Sequence, residues 1–188
     1  MASEEKGING HPSGLMTERS VEEMRRGRAI QLLDGKRCWL MAAMETMESP
    51  LLDRLKKVNG GDIRLLITPQ RATAAALMEE STDPVSISFP KGIGLEALRS
   101  LAGVGPQMPI KKTTLAVEVS TNAASVGAGF RLAKLGRLLP ALISVRSTEV
   151  SDSGLVSISV EDIDRYPSAQ GNGLSLTSRA RVPLVDTA

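Results

Sequence analysis

Cations and hydroxyls, rather than nucleophiles or metal ligands, are what this sequence offers for chemistry. Lys36 and Arg37 stand just past Asp34-Gly35, where two adjacent positive charges can hold a phosphate or a carboxylate. Lys111-Lys112-Thr113-Thr114 is a second basic, hydroxyl-rich patch. Arg146-Ser147-Thr148-Glu149 follows directly on an apolar run that reads as a buried strand, and open sheets collect ligands at the carboxyl ends of their strands. Thr68 and Arg71 stand at another strand end, where they read equally well as a helix cap and its first turn. The candidate substrate-binding residues are therefore Lys36, Arg37, Thr68, Arg71, Lys111, Arg146 and Thr148. Two carboxylates, Glu45 and Glu149, are the candidate catalytic acids or bases, and Glu45, with Thr46 and Glu48 beside it, is also the residue best placed to hold Mg²⁺. Against each basic or acidic group stands the plain alternative of a solvated turn.

The absences narrow the field further. One histidine, His11, lies near the start of the chain, so histidine general-base chemistry and His-based metal sites are not expected. The single Cys38 excludes an internal disulfide and a cysteine cluster, and suits a reducing compartment. Gly92-Ile-Gly94 and Gly103-Val-Gly105 do not continue into a nucleotide-binding pattern and read as turns. Lys+Arg 23 against Asp+Glu 21 leaves a net charge of +2, too small for a nucleic-acid footprint, and the few aromatic residues (Trp39, Phe89, Phe130, Tyr166) provide no stacking platform. No apolar run approaches a membrane span, and the start is polar and acidic, so a cytoplasmic protein without membrane or nucleic-acid partners is expected.

The elements that must position these groups can be read in order. Residues 1–19 read as a loose tail. Ser20 with Glu23 forms a capping box for a helix over Val21–Arg28. Ala29–Leu33 and Cys38–Ala43 read as two strands joined at Asp34-Gly35, either a hairpin or the edge of a mixed sheet. Ser49-Pro50 opens a helix with Leu51, Leu52 and Leu55 on one face, ended by Asn59-Gly60-Gly61. Strands at Ile63–Thr68, Val85–Phe89, Thr113–Val119, Ala141–Val145 and Val156–Ser159 alternate irregularly with helices at Gln70–Glu80, Leu95–Ala102, Gly127–Leu138 and Val160–Tyr166. With 188 residues and 41% hydrophobic content, this predicts an α/β (α+β) single domain over 20–166: a mixed sheet with helices packed around it, and an arm or linker remnant over 167–188.

The collinear order of several segments resembles the 3,4-dihydroxy-2-butanone 4-phosphate synthase family of riboflavin biosynthesis. The segments are Arg25-Arg-Gly-Arg28, Ile30-Gln-Leu-Leu-Asp34, Met44-Glu-Thr-Met47, Gly61-Asp-Ile-Arg-Leu-Leu-Ile-Thr-Pro-Gln-Arg71, Leu132-Ala-Lys-Leu-Gly-Arg-Leu-Leu-Pro-Ala141 and Val160-Glu-Asp-Ile-Asp-Arg-Tyr166. Ala180-Arg-Val-Pro183 is similar to the linker that precedes a GTP cyclohydrolase II domain in fused members. The resemblance implies the family's fold, a homodimer, and a site for a sugar phosphate. It also implies Mg²⁺-dependent conversion of ribulose 5-phosphate to formate and a four-carbon phosphate.

The family's active-site motifs are not matched. Its acidic loop after the first strand is replaced by Asp34-Gly35-Lys36-Arg37, in which only Arg37 has a counterpart. By order, its Arg-Pro-Gly-His segment falls near Gly103-Val-Gly-Pro-Gln-Met-Pro109, its His-Thr-Glu at Ser125-Val-Gly127, and its late glutamate at Arg146. Enediol formation needs a base and a cation for the developing charge, and serine and glycine supply neither. Three readings follow. One is a divergent synthase-like protein that binds a small phosphorylated or anionic metabolite with altered chemistry and no required cofactor. The second is a non-catalytic binding or partner protein. The third is an authentic Mg²⁺-dependent synthase with substituted carboxylates at Glu45, Glu118 or Glu149.

Overall fold

The computed structural model describes residues 12–58, 62–147 and 154–171. The expectations for Asn59-Gly60-Gly61, Thr148, Glu149, the first eleven residues and the arm beyond Gly171 lie outside them.

Among the described residues seven strands form one mixed sheet in the order β5-β4-β3-β6-β2-β1-β7. They are β1 (Ile30–Asp34), β2 (Arg37–Ala43), β3 (Ile63–Ile67), β4 (Val85–Ser88), β5 (Ala116–Val119), β6 (Ala141–Ser147) and β7 (Ser157–Ser159). Every pairing is antiparallel except β1 with β7. The β1–β2 hairpin turns where expected: Asp34 pairs with Arg37, and Gly35 at φ 56° supplies the left-handed conformation of a two-residue turn.

Among the described residues six α-helices cover the sheet, three on each face. Helices α2 (Ser49–Leu55), α3 (Pro69–Ala74) and α4 (Leu95–Ala102) close one apolar core, in which Leu52, Ala72 and Leu98 meet Leu40, Ile63, Leu65, Ile67, Val85, Ile87, Ile143 and Val145. Helices α1 (Pro12–Arg25), α5 (Ala123–Leu135) and α6 (Val160–Gly171) close the other around Met24, Ile30, Leu32, Met41, Leu66, Leu132, Leu142 and Ile163. Gly129 brings α5 against the strands, because a Cβ there would stand 2.7 Å from Leu142 Cδ1 and 2.9 Å from Met41 Sδ.

The mixed-sheet α/β architecture is the one expected, and several boundaries differ. The first helix begins at Pro12, within the expected tail, and Ser20 stands inside it. Ser20 is fully buried and donates to the Met16 carbonyl at 2.8 Å, so the serine read as a cap is a packed helix-interior residue. Helix α3 ends at Ala74 rather than Glu80, with Ala76 at φ 51°. Helix α5 starts four residues before Gly127, and its Leu135 is exposed. Helix α6 continues to Gly171, five residues past Tyr166.

Candidate functional site

Strand register gathers a set of polar residues on the face that carries α1, α5 and α6. Met41 and Leu66 belong to that face's core, and alternation along each strand fixes which neighbours share it. Ser144 pairs with both Met41 and Arg64, Arg64 with Ser88, Leu66 with Ser86, Ser86 with Glu118, and Arg146 with Trp39. Toward β5 the apolar row therefore gives way to charges and hydroxyls. Together with the start of α5 they line a cleft of about 210 Å³ that includes Trp39, Asp62, Arg64, Ser86, Glu118, Asn122, Ser125, Ser144 and Arg146.

Three features define its electrostatics. Arg64 is held between two carboxylates, with Nε 2.9 Å from Asp62 Oδ1 and Nη1 hydrogen-bonded to Glu118 Oε1. Burial alone would lower the pKa of this guanidinium, but the hydrogen bonds and charges of Asp62 and Glu118 outweigh it and hold it above its ordinary value. Arg146, by contrast, is exposed and makes no ion pair with any described residue. Helix α5 begins without a side-chain cap, because Asn122 Oδ1 accepts from Arg37 Nη1 at 3.2 Å instead of from the helix. Its first-turn amides are left as donors beside the positive end of a 13-residue helix.

The floor carries further polar groups. Ser144 is 3% exposed and Ser86 7%, and neither hydroxyl bonds to a described residue. Trp39 Nε1 is buried without an acceptor among the described residues. Such groups are costly to desolvate unless something accepts or donates to them. Ser125, fully buried, is fixed by donating to Asp34 Oδ2 at 2.6 Å. On the opposite face, burial raises the Cys38 thiol's pKa and a hydrogen bond with Ser147 only partly offsets this, so Cys38 is a packing residue.

The structure brings together only part of the set picked from sequence. Arg37 and Arg146 lie at this cleft, with Lys36 in the adjoining turn. Thr68 and Arg71 lie at the far end of β3: Thr68 Oγ1 caps α3 through the Arg71 amide at 3.2 Å. The Arg71 guanidinium donates to the Leu101 and Ser100 carbonyls at 2.8 and 2.7 Å, fastening the end of α4. Lys111 is exposed beside Lys112, whose Nζ donates to the Ala75 and Ala76 carbonyls after α3. Glu45 follows the opposite end of β2 from Arg37 and accepts from the Leu139 amide at 2.8 Å, so it steadies the turn before β6. Thr148 and Glu149 lie outside the described residues. The residues not singled out from sequence as binding groups are Trp39, Asp62, Arg64, Ser86, Asn122, Ser125 and Ser144. Their signal is distributed over four strands and a helix, and only register collects it.

No protein-family model matches the chain. A curated protein described as GTP cyclohydrolase-2, from Azospirillum brasilense, is 30% identical over 184 residues, which covers 89% of this chain and 46% of that protein. The chain thus spans about half the length of the curated relative it matches. Solved structures described as 3,4-dihydroxy-2-butanone 4-phosphate synthase share the fold. A cation-free form superposes with a TM-score of 0.60 at 16% identity, over 82% of this chain and 97% of that one. A form in complex with two magnesium ions gives 0.58 at 15%, over 84% and 98%. The Candida albicans protein gives 0.55 at 15%, over 80% and 96%.

The donor set here does not suit a divalent cation of that kind. Asp62 and Glu118, the carboxylates lining the cleft, are both bonded to Arg64, whose guanidinium occupies the position between them that a shared metal would need. Among the described residues no three His, Cys, Asp or Glu side chains converge. No described helix is long and apolar enough to cross a membrane.

Proposed function

We propose that the chain is a divergent relative of the 3,4-dihydroxy-2-butanone 4-phosphate synthases that binds a small phosphorylated or carboxylated metabolite at the start of α5, with chemistry other than the release of formate. The observation that carries this reading is Arg146: an exposed guanidinium with no described ion-pair partner, at the mouth of a cleft that also holds uncapped helix amides. An anionic group there meets Arg146, the α5 amides and the Trp39 indole N–H, with Lys36 and Arg37 adding to the field from the β1–β2 turn. Ser144 and Ser86 are hydroxyls of the same cleft, without a hydrogen bond to any described residue, that can orient the remainder of the ligand. A base and a cation for enediol chemistry have no counterpart among these groups. The reading includes a homodimer, which light scattering tests.

Calorimetric titration of ribulose 5-phosphate, with and without Mg²⁺ and with formate assayed in the same cell, tests the proposal. Binding that ignores Mg²⁺ and releases no formate is expected. Mg²⁺-dependent formate release would restore the synthase reaction. Absence of binding by both ribulose 5-phosphate and inorganic phosphate would overturn the anion site.

A further inference from the structure

The cleft is not simply basic, and its charge balance constrains the ligand beyond the anionic group. Its described lining carries Arg64 and Arg146 against Asp62 and Glu118, so the charges sum to zero. They are unevenly spread. Arg64 is shared by two carboxylates, which leaves the Asp62–Arg64–Glu118 group with one uncompensated negative charge, while Arg146 is unpaired among the described residues. The two carboxylates keep 62% and 60% of their side-chain surface exposed, so each retains lone pairs open to a ligand while bonded to Arg64. Register places Asp62 one residue before the Ile63–Val145 pair, next to Arg146, yet its carboxylate turns to Arg64. Glu118 reaches the same Arg64 from β5, three strands away from β6, so the negative charge farthest from Arg146 is that of Glu118.

Between the two ends lie Ser144 and Ser86, more than nine-tenths buried and without a hydrogen bond to any described residue. Both line the cleft, so their hydroxyls are available to a ligand lying across β6, β3 and β4. Adjacent strands are about 4.8 Å apart, so such a ligand spans a few ångströms to roughly one nanometre. A ligand with only negative charge would satisfy Arg146 and the α5 amides but be repelled by the carboxylate end.

We infer that the cleft takes a zwitterion: an anionic group at Arg146 and the start of α5, and an ammonium group at Glu118 and Asp62, with the Ser86 and Ser144 hydroxyls between. This rests on the anion site proposed above and adds the second half of the ligand. Glu118 and Asp62 are then specificity-determining residues, and Arg64 holds them at a fixed separation.

The test compares 2-aminoethyl phosphate and 3-aminopropyl phosphate with ethyl and propyl phosphate at neutral pH, by calorimetry on the intact chain. At least one aminoalkyl phosphate should bind ten or more times tighter than its alkyl counterpart. That preference should vanish in both Glu118→Gln and Asp62→Asn, each of which is exposed enough to fold normally and is checked by its thermal transition. Equal binding of amino and alkyl phosphates would overturn the zwitterion inference and leave the anion site standing. A preference that survives both substitutions would overturn the assignment to Glu118 and Asp62. No binding by any of the four, or by inorganic phosphate, would overturn the anion site and this inference with it.

Discussion

The two faces of the sheet are built from the same strands and treat polarity in opposite ways. Under α2, α3 and α4, the core residues of β2, β3, β4 and β6 are apolar, and Leu65, Ile67, Val85, Ile87, Ile143 and Val145 are fully buried. Under α1, α5 and α6 the same strands are apolar only where α5 lies on them, at Met41, Leu66 and Leu142. The row of Met41 continues into Ser144, Arg64 and Ser88, and the row beyond it carries Trp39 and Arg146. A strand cannot choose its two faces independently of its neighbours, because register aligns whole rows. A continuous polar patch on one face, beside a complete core on the other, separates the part of the sheet that holds the fold from the part proposed above to bind a ligand.

This contrast sets the order of expected effects. Leu65→Ala removes a fully buried side chain from the covered face and should cost about 3 kcal/mol, read by denaturant unfolding. Retained phosphate binding in the folded variant would sharpen the division between faces, and loss of binding would blur it. Arg71→Ala should cost about 2 kcal/mol, since it strips the Ser100 and Leu101 carbonyls at the end of α4 of their guanidinium partner. Phosphate affinity should stay within a factor of two of wild type, and a tenfold loss would move Arg71 from a helix fastener to a ligand contact.

The smallest effect is confined to alkaline solution. Burial first, then the charge and hydrogen bond of Glu18, raise the pKa of Tyr166 above its ordinary 10.0. A raised value in the fold means that the stabilisation is complete below pH 10 and is lost as pH climbs through the raised value. Tyr166→Phe should therefore flatten the alkaline limb of the stability curve while changing neutral stability by no more than about 1 kcal/mol. The limb that remains belongs in part to Cys38, whose thiol is raised from 9.0 by burial. An unchanged alkaline limb would contradict the placement of Tyr166 against Glu18.

Sequence reasoning reached the fold more fully than the site. Local chemistry marked the β1–β2 hairpin at Asp34-Gly35, the apolar face of α2 at Leu51, Leu52 and Leu55, and the strand that ends at Arg146, because each signal lies within a few adjacent residues. Ser20 misled because a serine followed by an acid three residues on has the same spelling as a cap and as a buried turn of helix; its complete burial inside α1, bonded to the Met16 carbonyl, decides between them. Arg64, Ser86 and Ser144 were illegible for a different reason. In an isolated strand an alternating polar residue reads as facing water, and only the pairing of β3 with β6 and β4 reveals that these residues share one pocket. Glu45 and Arg71 had the right chemistry at strand ends, but at the ends opposite the cleft.

The most direct measurement is an amide-resolved NMR titration with inorganic phosphate, in the wild type and in Arg146→Ala. The account predicts that shifts concentrate at Trp39, Asn122–Val126, Ser144 and Arg146, and that affinity falls at least tenfold, about 1.4 kcal/mol, in the variant. Shifts centred instead on Pro69–Ala76 and Lys111–Lys112, with affinity unchanged in Arg146→Ala, would contradict it.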